Sequence, residues 1–167
     1  MILAKLREYL DAKNIKYFGI SHSLAYTAEE ISKKAHIPLN EMAKTVMLKV
    51  DGKIIMAVIP ATDMVSFKKL KKILGADNVN LAEEEEFEDI FPHCEVGAMP
   101  PFGNLYDVEV IVSSPLTTDK NIAFNAGSHR ELIRMEYKEY EKLVKPKIFD
   151  FTIKKRGAED DHWSFEY

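Results

Sequence analysis

The chain has a single cysteine, Cys94, so no internal disulfide can brace it, and a reducing cytoplasm is the expected location. No apolar run approaches the ~20 residues that a bilayer-spanning helix needs. The opening stretch, MILAKLREYLDAKN, is broken by charges and is not built like a secretory signal, so no membrane partner is expected. Internal repeats are absent, and the four glutamates at 83–86 are the only low-complexity run. A G-x-S-x-G elbow is also missing, which leaves a covalent nucleophile with little support. His22, His93, Cys94 and His129 match no zinc-ligand spacing, so neither a metal nor a cofactor is expected.

What is present is an ordinary globular composition. With 46% hydrophobic and 30% charged residues over 167 positions, the chain suits one domain with a proper core and is short for two. Residues 1–145 carry the patterned elements, and residues 146–167 form a C-terminal extension of charge blocks and aromatics, expected to wrap the surface without regular structure. A net charge of −4 argues against indiscriminate nucleic-acid binding but leaves room for a local patch that holds one RNA end. Lys68, Lys69, Lys71 and Lys72 form one basic cluster, and Lys142, Lys145 and Lys147 another. Each also reads as a plain solvated face.

Periodicity places a helix at the start, with Ile2, Leu3, Leu6 and Leu10 on one side and a stop near Asn14. TAEE at 27–30 is a capping box that opens a second helix. Two β-rich runs around Asp51 and Gly52 predict a hairpin, with Lys44 at its first strand. SFKKLKKILG and LAEEEEFEDIFP predict short helices ended by Gly75 and Pro92. DVEVIVSS and NIAFNAG predict strands, HRELIRM is expected to join the same sheet, and EYKEYEKLV predicts a closing helix.

The unusual stretch is EVGAMPPFGN, residues 95–104. Pro100 and Pro101 stiffen it, and Gly97 and Gly103 allow close approach, so the amides of Gly97, Ala98 and Met99 can be held towards an oxygen that gains negative charge in acyl transfer. The same composition also suits a plain helix-to-strand connector. His129, in FNAGSH, reads either as a half-buried sheet histidine or as a site residue. Lys44 reads either as a strand-edge charge or as an ammonium reaching into a cleft.

AKTVML with Lys44, the GAMPP loop with Gly97 and Pro101, and FNAGSH with Gly127 and His129, in this order, resemble the YbaK/prolyl-tRNA-synthetase-associated domain family. Its members are stand-alone relatives of the editing domain inserted in bacterial prolyl-tRNA synthetases. The resemblance implies a mixed α/β fold with a curled, partly closed, barrel-like sheet and helices outside. It implies a ProX-like trans-editing deacylase that cleaves the ester of a mischarged aminoacyl-tRNA, a small wrong amino acid on tRNA(Pro), with a prolyl-tRNA synthetase as a further partner. On that analogy Lys44 and His129 are catalytic. The substrate-binding set is Gly97, Ala98, Met99, Pro100, Pro101, Phe102, Asn125, Gly127, Ser128 and His22. Editing has a physical rationale, since one methylene discriminates by only about 1–3 kcal/mol at a first site. The alternative is a non-catalytic module that uses the same cleft to hold a tRNA end or dock on a synthetase.

Overall fold

The computed structural model describes residues 3–155; Ile2 and the tail from residue 156, Trp163 included, lie outside the described residues. Leu6 and Leu10, four apart, are fully buried on α1 (Ala4–Ala12), which ends before Asn14. β1 (Tyr17–Ser21) follows, and Thr27 then caps α2 (Ala28–Ala35). The Thr27 hydroxyl accepts the Glu30 amide at 3.1 Å and donates to Glu30 Oε1 at 3.2 Å. β2 (Ala43–Val50) and β3 (Lys53–Pro60) make the expected hairpin, and both of its turn residues have positive φ. β4 (Asp63–Val65) leads to α3 (Phe67–Leu74), capped by Ser66. Next come β5 (Val79–Leu81) and a one-turn α4 (Glu84–Phe87), and beyond the proline and glycine loop β6 (Glu109–Ser113). The chain continues through β7 (Asn121–Asn125), β8 (Glu131–Glu136), α5 (Tyr137–Val144), β9 (Lys147–Phe149) and β10 (Thr152–Lys154).

The described residues form a mixed α/β fold with three hydrogen-bonded sheets. One has the order β5-β2-β3-β6-β9, with β6 parallel to both of its neighbours; a second is the antiparallel β1-β8-β7; β10 pairs with β4 in the third. No barrel closes among the described residues: a single parallel bridge, Met42 to Ala123, joins the start of β2 to β7. The expectation that β6 shares a sheet with β7 and β8 does not hold, because a 3-10 turn containing Pro115 redirects the chain between them. Residues 147–154, expected to lack regular structure, instead add a strand to each of two sheets. Among the described residues no helix is long and apolar enough to cross a membrane.

The runs VMLKV and IIMAVIP barely alternate because the five-stranded sheet is covered on both faces. Met47, Met56, Val58, Val110 and Val112 point into a core shared with α1, α5 and the inner face of the three-stranded sheet. Val46, Leu48, Ile55, Ala57 and Ile111 point the other way, onto Phe67 and Leu70 of α3 and onto Phe151. A smaller cluster packs Ile31 of α2 on Ala123 and Leu132. The mouth between β2, α2 and the end of β7 lies over that third cluster.

Candidate functional site

The loop at 95–104 and the turn after β7 are stitched together by backbone bonds. The Glu95 amide donates to the Gly127 carbonyl at 2.8 Å, and the Gly127 amide donates to the Ala98 carbonyl at 3.0 Å. Glu95 Oε2 accepts the His129 amide at 3.1 Å, and the Val96 carbonyl lies 2.8 Å from His129 Nε2. A carbonyl only accepts, so Nε2 carries a proton, and in the neutral ring Nδ1 holds the lone pair. That Nδ1 is buried and has no hydrogen-bond partner among the described residues. The contact needs glycine at two places. A Cβ on Gly127, at φ 99°, would stand 3.1 Å from Leu3 Cβ; one on Gly97, at φ 82°, would have room beside His129 Cε1 at 3.5 Å but the wrong backbone conformation.

The loop is rooted from beneath. Tyr140 donates its hydroxyl to the Pro101 carbonyl at 2.7 Å, and the fully buried Phe102 ring sits among Tyr9, Phe124 and Tyr140. Pro100, Pro101 and Phe102 therefore anchor the loop in the core and do not line the cavity above it. The Ala98 amide also departs from expectation: it donates to the Glu95 carbonyl at 3.0 Å, closing a tight turn, and is not free for a ligand. The amides of Gly97 and Met99 donate to no protein acceptor among the described residues.

Above the loop lies a cavity of about 110 Å³. Lys44 and Thr45 from β2 form one wall, Gly97 and Met99 another, Asn125 and His129 a third, and Tyr26 and Ile31 close it from the α2 side. The Tyr26 ring stands 4.8 Å from that of His129. Asn125 Oδ1 is buried and has no hydrogen-bond partner among the described residues. A second, more open and mostly apolar groove of about 220 Å³ shares Thr45, Gly97 and Met99 and continues past Val96 to Leu81 and Phe87.

Lys44 is the electrostatic centre. Burial pushes its amine down to about 7, the nearby Lys155 ammonium adds to the effect, and the Glu29 and Asp63 carboxylates oppose it. At neutral pH the amine thus exchanges readily between charged and neutral forms, which a strand-edge lysine in water does not do.

Five residues named from sequence meet at this cavity: Lys44, Gly97, Met99, Asn125 and His129. Gly127 acts one step back, by pinning the loop. Ser128 accepts the Arg130 amide at 3.3 Å outside the cavity. His22 is also outside, its amide on the Arg130 carbonyl at 2.9 Å and its Nδ1 2.7 Å from the Ser23 carbonyl. Sequence reasoning missed Tyr26, Ile31 and Thr45. The first two were within reach, since Tyr26 precedes the Thr27 cap and Ile31 lies four residues after it, the spacing of a hydrophobic staple. Among the described residues no three His, Cys, Asp or Glu side chains group as a metal site.

A family model for the aminoacyl-tRNA editing domain matches residues 22–143. The proline--tRNA ligase of Bacillus cereus (strain Q1) is 32% identical over 93 residues, which cover 56% of this chain and 16% of the ligase. That of Bacillus cytotoxicus is 37% identical over 83 residues, 50% of this chain and 14% of the ligase. The chain thus matches only a small part of the length of these ligases. Among solved structures, a hypothetical protein superposes with a TM-score of 0.79 at 19% identity, covering 89% of this chain and 99% of the other. A protein put forward as a trans-editing enzyme for prolyl-tRNA synthetase superposes at 0.75 with 17% identity, covering 91% and 96%. At such identities the likeness is one of fold.

Proposed function

The chain belongs to the aminoacyl-tRNA editing domain family, and from that membership we propose that it is a trans-editing deacylase that hydrolyses the ester of a small, wrong amino acid on tRNA(Pro). The observation that carries this reading is the stitched loop and turn facing Lys44 across one small cavity. Its volume, about 110 Å³, is below the ~150 Å³ that admits benzene, which favours a side chain of a few atoms. The likeness to part of bacterial proline--tRNA ligases supports the choice of tRNA and a prolyl-tRNA synthetase as partner, with the work done in the cytoplasm beside translation.

In this reading the aminoacyl group enters between Lys44 and His129, and the apolar groove beyond Gly97 offers a surface for the terminal adenosine. Asn125 Oδ1 accepts from the substrate ammonium. Water adds to the ester carbonyl carbon, and the carbonyl oxygen becomes an oxyanion held by the Gly97 and Met99 amides. His129 Nδ1, in the neutral ring and without a hydrogen-bond partner among the described residues, takes the proton of the attacking water, with the ribose 2′-hydroxyl helping to orient it. Collapse then breaks the acyl carbon–oxygen bond, the ribose oxygen takes up that proton, and the products are the free amino acid and a terminal ribose hydroxyl. Lys44, in its ammonium form, draws in the carbonyl and the nearby phosphate.

The test is release of amino acid from tRNA(Pro) charged with alanine, cysteine, serine, 2-aminobutyrate or proline. Rapid release of one small residue, sparing proline and reduced by about 10²–10³ in Lys44→Ala, is expected. Tight binding of every charged tRNA with no release from any would replace this reading with the non-catalytic module.

A further inference from the structure

Glu95 is bonded through three of its groups to the segments that frame the cavity. Its carbonyl accepts the Ala98 amide at 3.0 Å, which closes the turn containing Gly97. Its amide donates to the Gly127 carbonyl at 2.8 Å, and its carboxylate Oε2 accepts the His129 amide at 3.1 Å. The last two bonds straddle Ser128, so one residue grips the turn after β7 on both sides. The carbonyl of Val96, the next residue, meets His129 Nε2 at 2.8 Å. On its other side the His129 main chain is tied more loosely, its carbonyl accepting the Ala25 amide at 3.4 Å. The carboxylate could act by charge or by hydrogen bonding, and distance separates the two. Oε2 lies 4.0 Å from Nε2 and the Glu95 side chain is 51% exposed, so water screens that pair to little value. The shorter bond to the His129 amide holds the backbone from which the ring projects.

We propose that Glu95 is a positioning residue for His129: by accepting the His129 amide while its own amide holds Gly127, it keeps Nε2 on the Val96 carbonyl and so fixes which ring nitrogen is left for the substrate. The proposal rests on His129 acting in the deacylase reading. Glu95 also joins that histidine to the Gly97 turn, so the base and the oxyanion donors move as one unit. Tyr26 contacts the ring, at 4.8 Å between centroids, and Lys44 lines the same cavity, but the bonds of Glu95 set the main chain beneath. What the site requires at position 95 is an acceptor of the right length. A carboxamide oxygen takes the same amide bond and a hydrocarbon side chain cannot, so glutamine substitutes for Glu95 and leucine does not.

The experiment compares the full-length parent, Glu95→Gln and Glu95→Leu by two readouts. The first is steady-state deacylation of tRNA(Pro) carrying the amino acid that the parent releases fastest. Glu95→Leu is expected to lower kcat about tenfold with KM nearly unchanged, and Glu95→Gln to stay within about twofold of the parent. In a His129→Ala background the leucine substitution should cost nothing further, because its effect passes through that ring. The second readout is the ¹⁵N spectrum of the His129 ring without tRNA, at a pH where the ring is neutral. The parent and Glu95→Gln should show the proton on Nε2, and Glu95→Leu a mixture of the two tautomers. Parental kcat in Glu95→Leu, equal loss in Glu95→Gln, or a loss that persists in full without His129 overturns the proposal, as does a single Nε2–H tautomer in Glu95→Leu. Should Glu95→Leu fail to fold, Glu95→Ala, which also lacks the acceptor, takes its place under the same criteria. A parent that releases no amino acid defeats the deacylase reading, while the tautomer spectra still decide whether Glu95 sets the ring.

Discussion

Lys44 ties stability to pH in a direction that can be worked out. Its amine titrates near 7 in the folded chain against 10.5 for an ordinary lysine. Between those values the unfolded chain binds the extra proton, so the free energy of unfolding rises with pH across that window; below about 7 both states are protonated and the full cost of the buried charge remains. Lys44→Met is therefore expected to stabilise the fold by something on the order of 2 kcal/mol at about pH 6, with the gain fading towards pH 10. Urea unfolding at two pH values measures it, and a gain that ignores pH would mean the amine titrates normally. Gly97→Ala tests the loop itself. The added methyl meets only ordinary contacts, but φ 82° is unfavourable for alanine, so a cost of about 1 kcal/mol is expected together with a much larger loss of deacylation as the Gly97 and Met99 amides turn away. Thermal melts and turnover on one set of samples separate the two effects. Five of the cavity residues were legible because each sat in a motif with its own chemistry. Phe102, placed in the substrate set by the resemblance, instead packs in the core beneath the loop with Tyr9, Phe124 and Tyr140.

Elements whose signals are local were legible, as were the longer strands β6, β7 and β8, whereas two three-residue strands made by distant pairing were not. The Thr27 cap, the Asp51 and Gly52 turn and the α3 stripe each lie within a few residues, so α2, the β2–β3 hairpin and α3 appear in the sequence where the structure has them. β9 and β10 are three residues each, and their partners β6 and β4 are far along the chain, so no local period marks them. β10 nevertheless brings Lys155, the residue after it, within 3.5 Å of Glu29 on α2. Helix α5 has an equally remote effect through Tyr140. Replacing it with phenylalanine keeps the ring packing but leaves the Pro101 carbonyl without its 2.7 Å donor. The expected cost is about 1–2 kcal/mol in stability, with turnover falling more than substrate affinity as the loop loses its root. Equal loss in both kinetic parameters would point instead to general loosening of the fold.

At the scale of the whole molecule, the proposed function asks a chain of net charge −4 to hold a polyanion. The positive charge must be concentrated, and the structure narrows where. Lys147 is paired with Glu109 at 2.8 Å, Lys142 with Glu139 at 3.6 Å, and Lys69 with the Thr152 carbonyl at 3.2 Å and Asp150 at 3.7 Å, so these give up less to a phosphate. Lys71 and Lys72, in the last turn of α3, are exposed and have no acidic partner in ion-pair range among the described residues. Binding of mischarged tRNA should therefore weaken with salt, with a slope near −2 in a plot of log affinity against log salt if about three phosphates are met. Charge reversal at Lys71 and Lys72 should flatten that slope by more than one and raise KM, while kcat at saturation stays near the parent's, since α3 packs on the opposite face of the five-stranded sheet from α1 and α5. The same reversal at Lys142 and Lys147 should change the slope little. If the second pair proves the sensitive one, the tRNA approaches over α5 and β9, and the ion pairs with Glu139 and Glu109 must open to receive it.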